Sequence, residues 1–86
     1  MQLPDPMLEP LGTTIRKIRL ARGMTQQHLA DVCGFERVFI IAIEKGRQNA
    51  STRTVLKLAA GLRVQPAELF AGYTKTAMRK VRSDLP

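Results

Sequence analysis

The sequence predicts an all-α fold, a compact bundle of five helices that contains a helix-turn-helix. The length of 86 residues leaves room for one small hydrophobic core, because a chain of this size buries only about 60% of its unfolded surface. Hydrophobic residues make up 44% of the chain but aromatic residues only 5%, and there is no Trp. Leu, Ile, Val, Ala and Met must therefore build the core, and this composition favours packed helices over strands.

The folded domain is expected over 11–71. Apolar residues recur at helical spacing from Leu11 onward, and the first helix is expected to run from there to about Arg22, before a stop at Gly23. The preceding segment, 1–10, contains three prolines and predicts a mobile arm rather than a helix.

The second and third helices follow closely on the first. Thr25 is a good N-cap for a helix over about 26–33, and Gly34 ends that helix. A third helix is expected over about 36–45, with Gly46 as its stop.

Two further helices complete the predicted domain. Ser51 caps a fourth helix whose apolar positions end at Leu62, and Pro66 begins a short fifth helix. The segment 72–86 gathers Lys and Arg beside few acids, so it predicts a frayed or disordered basic tail.

The charge and the apolar runs limit the class of partner. A formal net charge of +7 favours a polyanion, either nucleic acid or an anionic membrane surface. The longest apolar run, 38–43, is far shorter than the roughly 20 residues that cross a bilayer, and the N-terminus lacks a signal-peptide pattern. We expect a cytoplasmic protein with no membrane partner.

Catalysis and metal binding find little support in the residue types. Cys33 and His28 are single residues of their kinds, which excludes an internal disulfide and a multi-ligand Cys/His zinc site. Cys33 is interpreted as a small buried hydrophobe, with a redox sensor as the alternative. The acids are widely separated and no glycine-rich phosphate loop is present. We therefore expect no catalytic residue, no metal and no cofactor.

The spacing over 26–43 fits two helices joined by a sharp turn. Ala30 is small where the helices must cross, and Gly34 accepts the left-handed backbone of the turn. Apolar side chains fill the angle between the helices: Leu29, Cys33, Phe35, Ile40 and Ile43. The alternative is a helical bundle with a chance turn.

The stretches 22–30 and 34–51 together resemble the phage repressor and Cro family of helix-turn-helix proteins. Within them, Cys-Gly-Phe-Glu-Arg and Ile-Glu-Lys-Gly-Arg-Gln-Asn look closest to the single-domain controller proteins of restriction-modification systems. The resemblance implies a transcription regulator, such as a repressor, that binds double-stranded DNA at a palindromic operator. It also implies that helix 3 enters the major groove and that the C-terminal helix forms a homodimer.

The resemblance also implies roles for individual residues. Arg37 matches a base-reading position, where a guanidinium bridges guanine O6 and N7. Arg19 and Glu44 match a structural ion pair that joins helix 1 to helix 3. The expected phosphate contacts lie at the start of helix 2 and after helix 3: Thr25, Gln26, Gln27, Lys45, Arg47, Gln48 and Asn49.

The centre of the outward face of helix 3 is apolar, where relatives usually carry polar side chains. Two interpretations of Val38, Ile41 and Ala42 are open. They contact thymine methyl groups at an A·T-rich half-site, or they form an apolar patch that binds another protein. The second interpretation leads to an alternative function, a protein-binding module such as the antitoxin of a toxin-antitoxin pair, in which the arm or the basic tail folds on its partner. The two functions can coexist.

The end of the predicted domain has more apolar surface than one short helix can hide. A two-fold interface is therefore expected from Leu62, Val64, Leu69, Phe70 and Tyr73. Met78 and Val81 extend this interface if the tail is helical. Arg63 stands where relatives commonly use Gly, so helix 4 is expected to end at a cost of about 1 kcal/mol.

Overall fold

A computed structural model describes residues 3–86 of the chain, and within them six helices and no strand are present. The six helices are α1 (Glu9–Ala21), α2 (Gln26–Cys33), α3 (Arg37–Glu44), α4 (Thr52–Leu62), α5 (Pro66–Leu69) and α6 (Lys75–Ser83). The predicted all-helical fold is confirmed, although residues 3–86 form six helices rather than five.

The core is built by the first five helices, which all contribute apolar side chains to it. The largest fully buried side chains come from α1, α2, α3, α4 and α5: Ile15, Leu29, Ile40, Leu58, Leu62 and Leu69. Burying a side chain of this size contributes about 1.5 to 3 kcal/mol. A single continuous core therefore packs against the buried side of α3 and holds this helix in place.

The helix ends follow local capping chemistry. The Thr25 hydroxyl accepts a hydrogen bond from the His28 N–H at 2.9 Å, and the Ser51 hydroxyl accepts one from the Thr54 N–H at 3.1 Å. Gly34 ends α2 in the left-handed conformation, with φ 75°. These caps confirm the predicted starts of the second and fourth helices and the end of the second.

The N-terminal segment is more ordered than the sequence predicts, although Met1 and Gln2 lie outside the described residues. Helix α1 begins at Glu9, two residues before the expected start, because a proline in the first turn lacks only an N–H that the helix does not need. The Asp5 N–H donates to the Gly46 carbonyl at 2.8 Å, and the Tyr73 hydroxyl donates to the Met7 carbonyl. The end of the predicted arm is thus bonded to the body.

The C-terminal segment contains helix α6, where a frayed or disordered tail was expected. The Thr74 hydroxyl caps this helix by accepting the Ala77 N–H at 3.3 Å. Lys80 and Arg82 lie in its last turn, where cations complement the helix dipole. None of its residues is fully buried, although Ala77 and Val81 are half-buried. Capping and partial burial together offset the weak apolar pattern.

Candidate nucleic-acid interface

Helices α2 and α3 cross to form the helix-turn-helix. Gly34 turns the chain between them, and Ala30 is completely buried at the crossing. The Phe35 and Phe39 rings pack beside the turn with their centroids 5.0 Å apart, and the Lys57 ammonium lies 5.6 Å from the Phe35 centroid. These contacts tie the turn to α4.

The outward face of α3 has cations at its two ends and apolar side chains between them. Arg37 and Lys45 are exposed, and Val38 is 67% exposed. Ile41 and Ala42 are half-buried. The structure therefore places the four predicted base-contacting residues on accessible parts of one short helix, with Arg37 and Val38 in its first turn.

A buried ion pair joins α1 to the end of α3. Arg19 Nε lies 2.6 Å from Glu44 Oε2, and Arg19 Nη2 donates to Glu44 Oε1 at 3.0 Å. The two side chains are only 7% and 2% exposed. Arg19 Nη1 also donates to the Met24 carbonyl at 2.9 Å, so one guanidinium fixes three segments.

Close backbone contact accompanies this pair. Gly12 lies on the same face of α1 as Arg19, seven residues earlier. A Cβ atom at Gly12 would overlap the backbone carbonyls of Ile43 and Glu44. Only glycine allows α1 and α3 to approach this closely, and no local pattern in the sequence predicts this role for Gly12.

Gln26 belongs to the same cluster. Its side-chain Nε2 donates to Glu44 Oε1 at 3.2 Å. The residue that was predicted to contact a phosphate is thus hydrogen-bonded within the free protein. The Gln27 amide donates to Asp31 at 2.8 Å. The backbone N–H groups of Gln26 and Gln27 lie in the first turn of α2, where an α-helix supplies no acceptor.

The loop after α3 begins with a left-handed glycine, Gly46. The Arg47 N–H donates to the Ala42 carbonyl at 2.9 Å, which closes the helix end. Gln48 is half-buried and its amide donates to the Asn49 carbonyl at 3.1 Å, whereas the Asn49 side chain is exposed. The loop and the start of α2 thus both carry polar groups beside α3.

The residues predicted to form a dimer interface divide into two sets. Leu62 and Leu69 have no exposed surface, so the prediction was wrong for them: both are core residues, because α4 and α5 turn them inward. Phe70 is 46% exposed, and Val64 and Tyr73 are half-buried. The Phe70 and Tyr73 ring centroids lie 6.0 Å apart. Apolar surface therefore remains at this end of the molecule.

A family model for the helix-turn-helix matches residues 15–69, which run from the middle of α1 to the end of α5. The chain belongs to the helix-turn-helix family. Proteins of this family are DNA-binding regulators and not enzymes, which confirms the expected class of this chain. The family assignment also confirms the resemblance drawn from the two helices and the following loop.

Controller proteins are among the relatives of this helix-turn-helix protein. It is 39% identical to the control protein C.BamHI of Bacillus amyloliquefaciens over 60 residues, which cover 69% of this chain and 74% of that protein. The structure of the restriction-modification controller protein C.AhdI from Aeromonas hydrophila matches with a TM-score of 0.72 and 38% identity, over 73% of this chain and 96% of that one. The wild-type controller protein C.Esp1396I matches with a TM-score of 0.70 and 27% identity, over 90% and 95% of the two chains.

Cys33 of this helix-turn-helix protein is a packing residue. The side chain is 8% exposed and its Sγ donates to the Lys57 carbonyl at 3.4 Å. Burial raises the pKa of the Cys33 thiol, although the Lys57 charge opposes this effect. A redox sensor needs an accessible thiolate, so the buried-hydrophobe interpretation is confirmed.

Residues 3–86 contain neither a metal-binding cluster nor a membrane-spanning helix. Among residues 3–86, no group of three or more His, Cys, Asp and Glu side chains is arranged to hold a metal ion. None of the helices in this range is long and apolar enough to cross a membrane.

Proposed function

We propose that this chain is a cytoplasmic, sequence-specific transcription regulator, of bacterial or phage origin, that binds a palindromic operator as a homodimer. The observation that carries the proposal is the outward face of α3, with exposed Arg37 and Val38 at its start and a buried ion pair fixing its other end. A rigidly held helix of this width fits the major groove of DNA. In a homodimer, two such helices read two half-sites about one helical turn apart.

Base readout is assigned to the outward face of α3. The Arg37 guanidinium bridges O6 and N7 of a guanine, an interaction worth about 1 to 3 kcal/mol of discrimination. Val38, Ile41 and Ala42 contact the methyl groups of neighbouring thymines. The proposed half-site is therefore rich in A·T pairs and contains one guanine.

Phosphate contacts are assigned to the two polar ends of the helix-turn-helix. At the start of α2 the backbone N–H groups of the first turn bind one phosphate, supported by Thr25, Gln26 and Gln27. After α3, a second set contacts the backbone of the DNA: Lys45, Arg47, Gln48 and Asn49. The Gln26 Nε2 carries two hydrogens and donates one of them to Glu44 in the free protein, so the second can be donated to the phosphate.

The homodimer interface is assigned to Phe70, Val64 and Tyr73. Phe70 is the exposed aromatic side chain of this set, and its ring lies beside that of Tyr73. Exposed aromatic residues are enriched at the centres of protein interfaces. Leu62 and Leu69 support the interface only from inside the core.

Selection of bound duplexes from a random-sequence DNA pool at physiological salt tests the proposal, because non-specific charge binding is suppressed there. A recovered palindrome with thymines beside a guanine is the expected result. Arg37→Ala should then lose preference at one position of each half-site, whereas Gln26→Ala should weaken all sites nearly equally. A pool with no motif would overturn the proposal, and equal loss across all sites for Arg37→Ala would remove its base-reading role.

One observation favours the second candidate, a protein-binding module such as an antitoxin. Val38 is an apolar side chain that is 67% exposed on the outward face, in the first turn of α3. The arm and the tail favour it less, because Asp5 and Met7 are bonded to the body and α6 is helical. A stoichiometric protein companion that co-purifies from the native source and is lost in Val38→Ser would support this candidate.

A further inference from the structure

Helix α6 carries a row of cations on one face. Lys75, Arg79 and Arg82 are spaced four and three residues apart, which places them on one side of the helix. All three are exposed. Between the first and the last of them the helix rises by about 10 Å, at 1.5 Å per residue.

This row of cations forms no salt bridge within residues 3–86. The ion pair between Arg19 and Glu44 does not involve Lys75, Arg79 or Arg82. Lys80 has different surroundings, because it lines a shallow pocket together with Asp5 and Asp84. The two kinds of cation on α6 therefore differ in their local electrostatics although they share one short helix.

The N-terminal segment connects α6 to the end of α3. Asp5 and Met7 line the pocket that Lys80 also lines. The Asp5 N–H in turn donates to the carbonyl of Gly46, which directly precedes the loop of proposed phosphate contacts. Helix α6 is thus separated from this loop by a single stretch of chain.

We infer that α6 is an auxiliary phosphate-binding element that contacts the DNA backbone through Lys75, Arg79 and Arg82. This inference rests on the proposed function. Each strand of duplex DNA presents one phosphate per 3.4 Å of helix axis, so a row about 10 Å long faces about three phosphates. The matched family segment ends at residue 69, and α6 therefore adds to the interface from outside it.

The structure favours DNA over the other partners for this row. A second copy of the chain would place like charges against each other, which is destabilising. An interfacial helix binds an anionic bilayer through a wide apolar face beside its cations, but on α6 Ala77 and Val81 are half-buried and Met78 is only 36% exposed. A polyanion with regularly spaced charges needs only the exposed row.

The test compares a triple variant, Lys75→Gln with Arg79→Gln and Arg82→Gln, against the single variant Lys80→Gln on the same helix. Gln is a good helix former, so α6 is retained. Affinity is measured against salt concentration on the selected operator and on a random duplex. The triple variant should reduce the slope of log K against log salt by about 5.4, since each phosphate contact contributes about 0.9 and the dimer loses three contacts in each protomer. Between 50 and 200 mM salt the affinity of the triple variant should therefore fall about 1,800-fold less than that of the parent.

Lys80→Gln should leave the slope close to that of the parent, and Arg79→Gln alone should reduce it by about 1.8, which is about 0.9 for each protomer of the dimer. The triple variant should lose affinity equally on operator and random duplexes, because phosphates carry no sequence information. An unchanged slope together with weaker self-association of the triple variant would overturn the inference in favour of a dimer contact. An unchanged slope together with loss of binding to anionic phospholipid vesicles that the parent binds would overturn it in favour of a membrane. If the parent selects no sequence, the proposed function fails, while the slope on random duplexes still decides the role of α6.

Discussion

The two sides of helix α3 differ in what holds them. The inward side consists of Ile40, Ile43 and Glu44, which are all buried and are packed or paired within the chain. The outward side begins with Arg37 and Val38, which are exposed and have no structural partner in the described chain. Within this helix of eight residues, the residues that stabilise the fold therefore differ from the residues that are available for binding.

The largest expected effect comes from breaking the buried pair on the inward side. Glu44→Ala leaves the Arg19 guanidinium buried without its carboxylate and removes the partner of Gln26. We expect the free energy of unfolding to fall by about 3 to 5 kcal/mol, measured by denaturant unfolding. Glu36→Ala, at an exposed position before the same helix, is the control. A loss below about 1 kcal/mol for Glu44→Ala would contradict the structural role of the pair.

A matched pair of truncations sharpens the comparison without charge effects. Ile40→Ala removes a fully buried side chain and leaves a cavity, so we expect a loss of about 2 to 5 kcal/mol in the free energy of unfolding. Val38→Ala, two residues earlier and 67% exposed, should change it by no more than about 0.5 kcal/mol. The order of the two effects should reverse for DNA binding. When only folded molecules are counted, Val38→Ala should weaken binding to the selected operator more than Ile40→Ala does. Similar stability losses for the two variants would mean that Val38 is covered by another part of the protein.

The features that the sequence predicted are those set by short-range chemistry. Thr25, Ser51 and Gly34 act on residues within one turn of themselves, and the structure has each where it was expected. Arg19 and Glu44 are 25 residues apart, and their pairing came from the family resemblance rather than from the residues alone. The end of α1 and the span of α2 followed from the same local signals.

The features that the sequence missed depend on contacts between distant segments. The importance of Gly12 appears only when α1 lies against the carbonyls of α3. Apolarity alone did not show that Leu62 and Leu69 face the core and that Phe70 is exposed. Helix α6 was missed because a disordered tail is also rich in cations. Only the spacing of Lys75, Arg79 and Arg82, which places them on one face of a helix, distinguishes the two cases.

The smallest expected effect comes from Arg63, an exposed residue whose backbone conformation is unfavourable. Arg63 ends α4 in the left-handed conformation, with φ 59° and ψ 45°, a region that costs a residue with a Cβ about 1 kcal/mol. Arg63→Gly should therefore raise the free energy of unfolding by up to about 1 kcal/mol, measured by denaturant unfolding. Arg63→Ala removes the side chain but keeps the Cβ, and should give no such gain. Equal gains for the two variants would place the cost in the Arg63 side chain and not in the backbone.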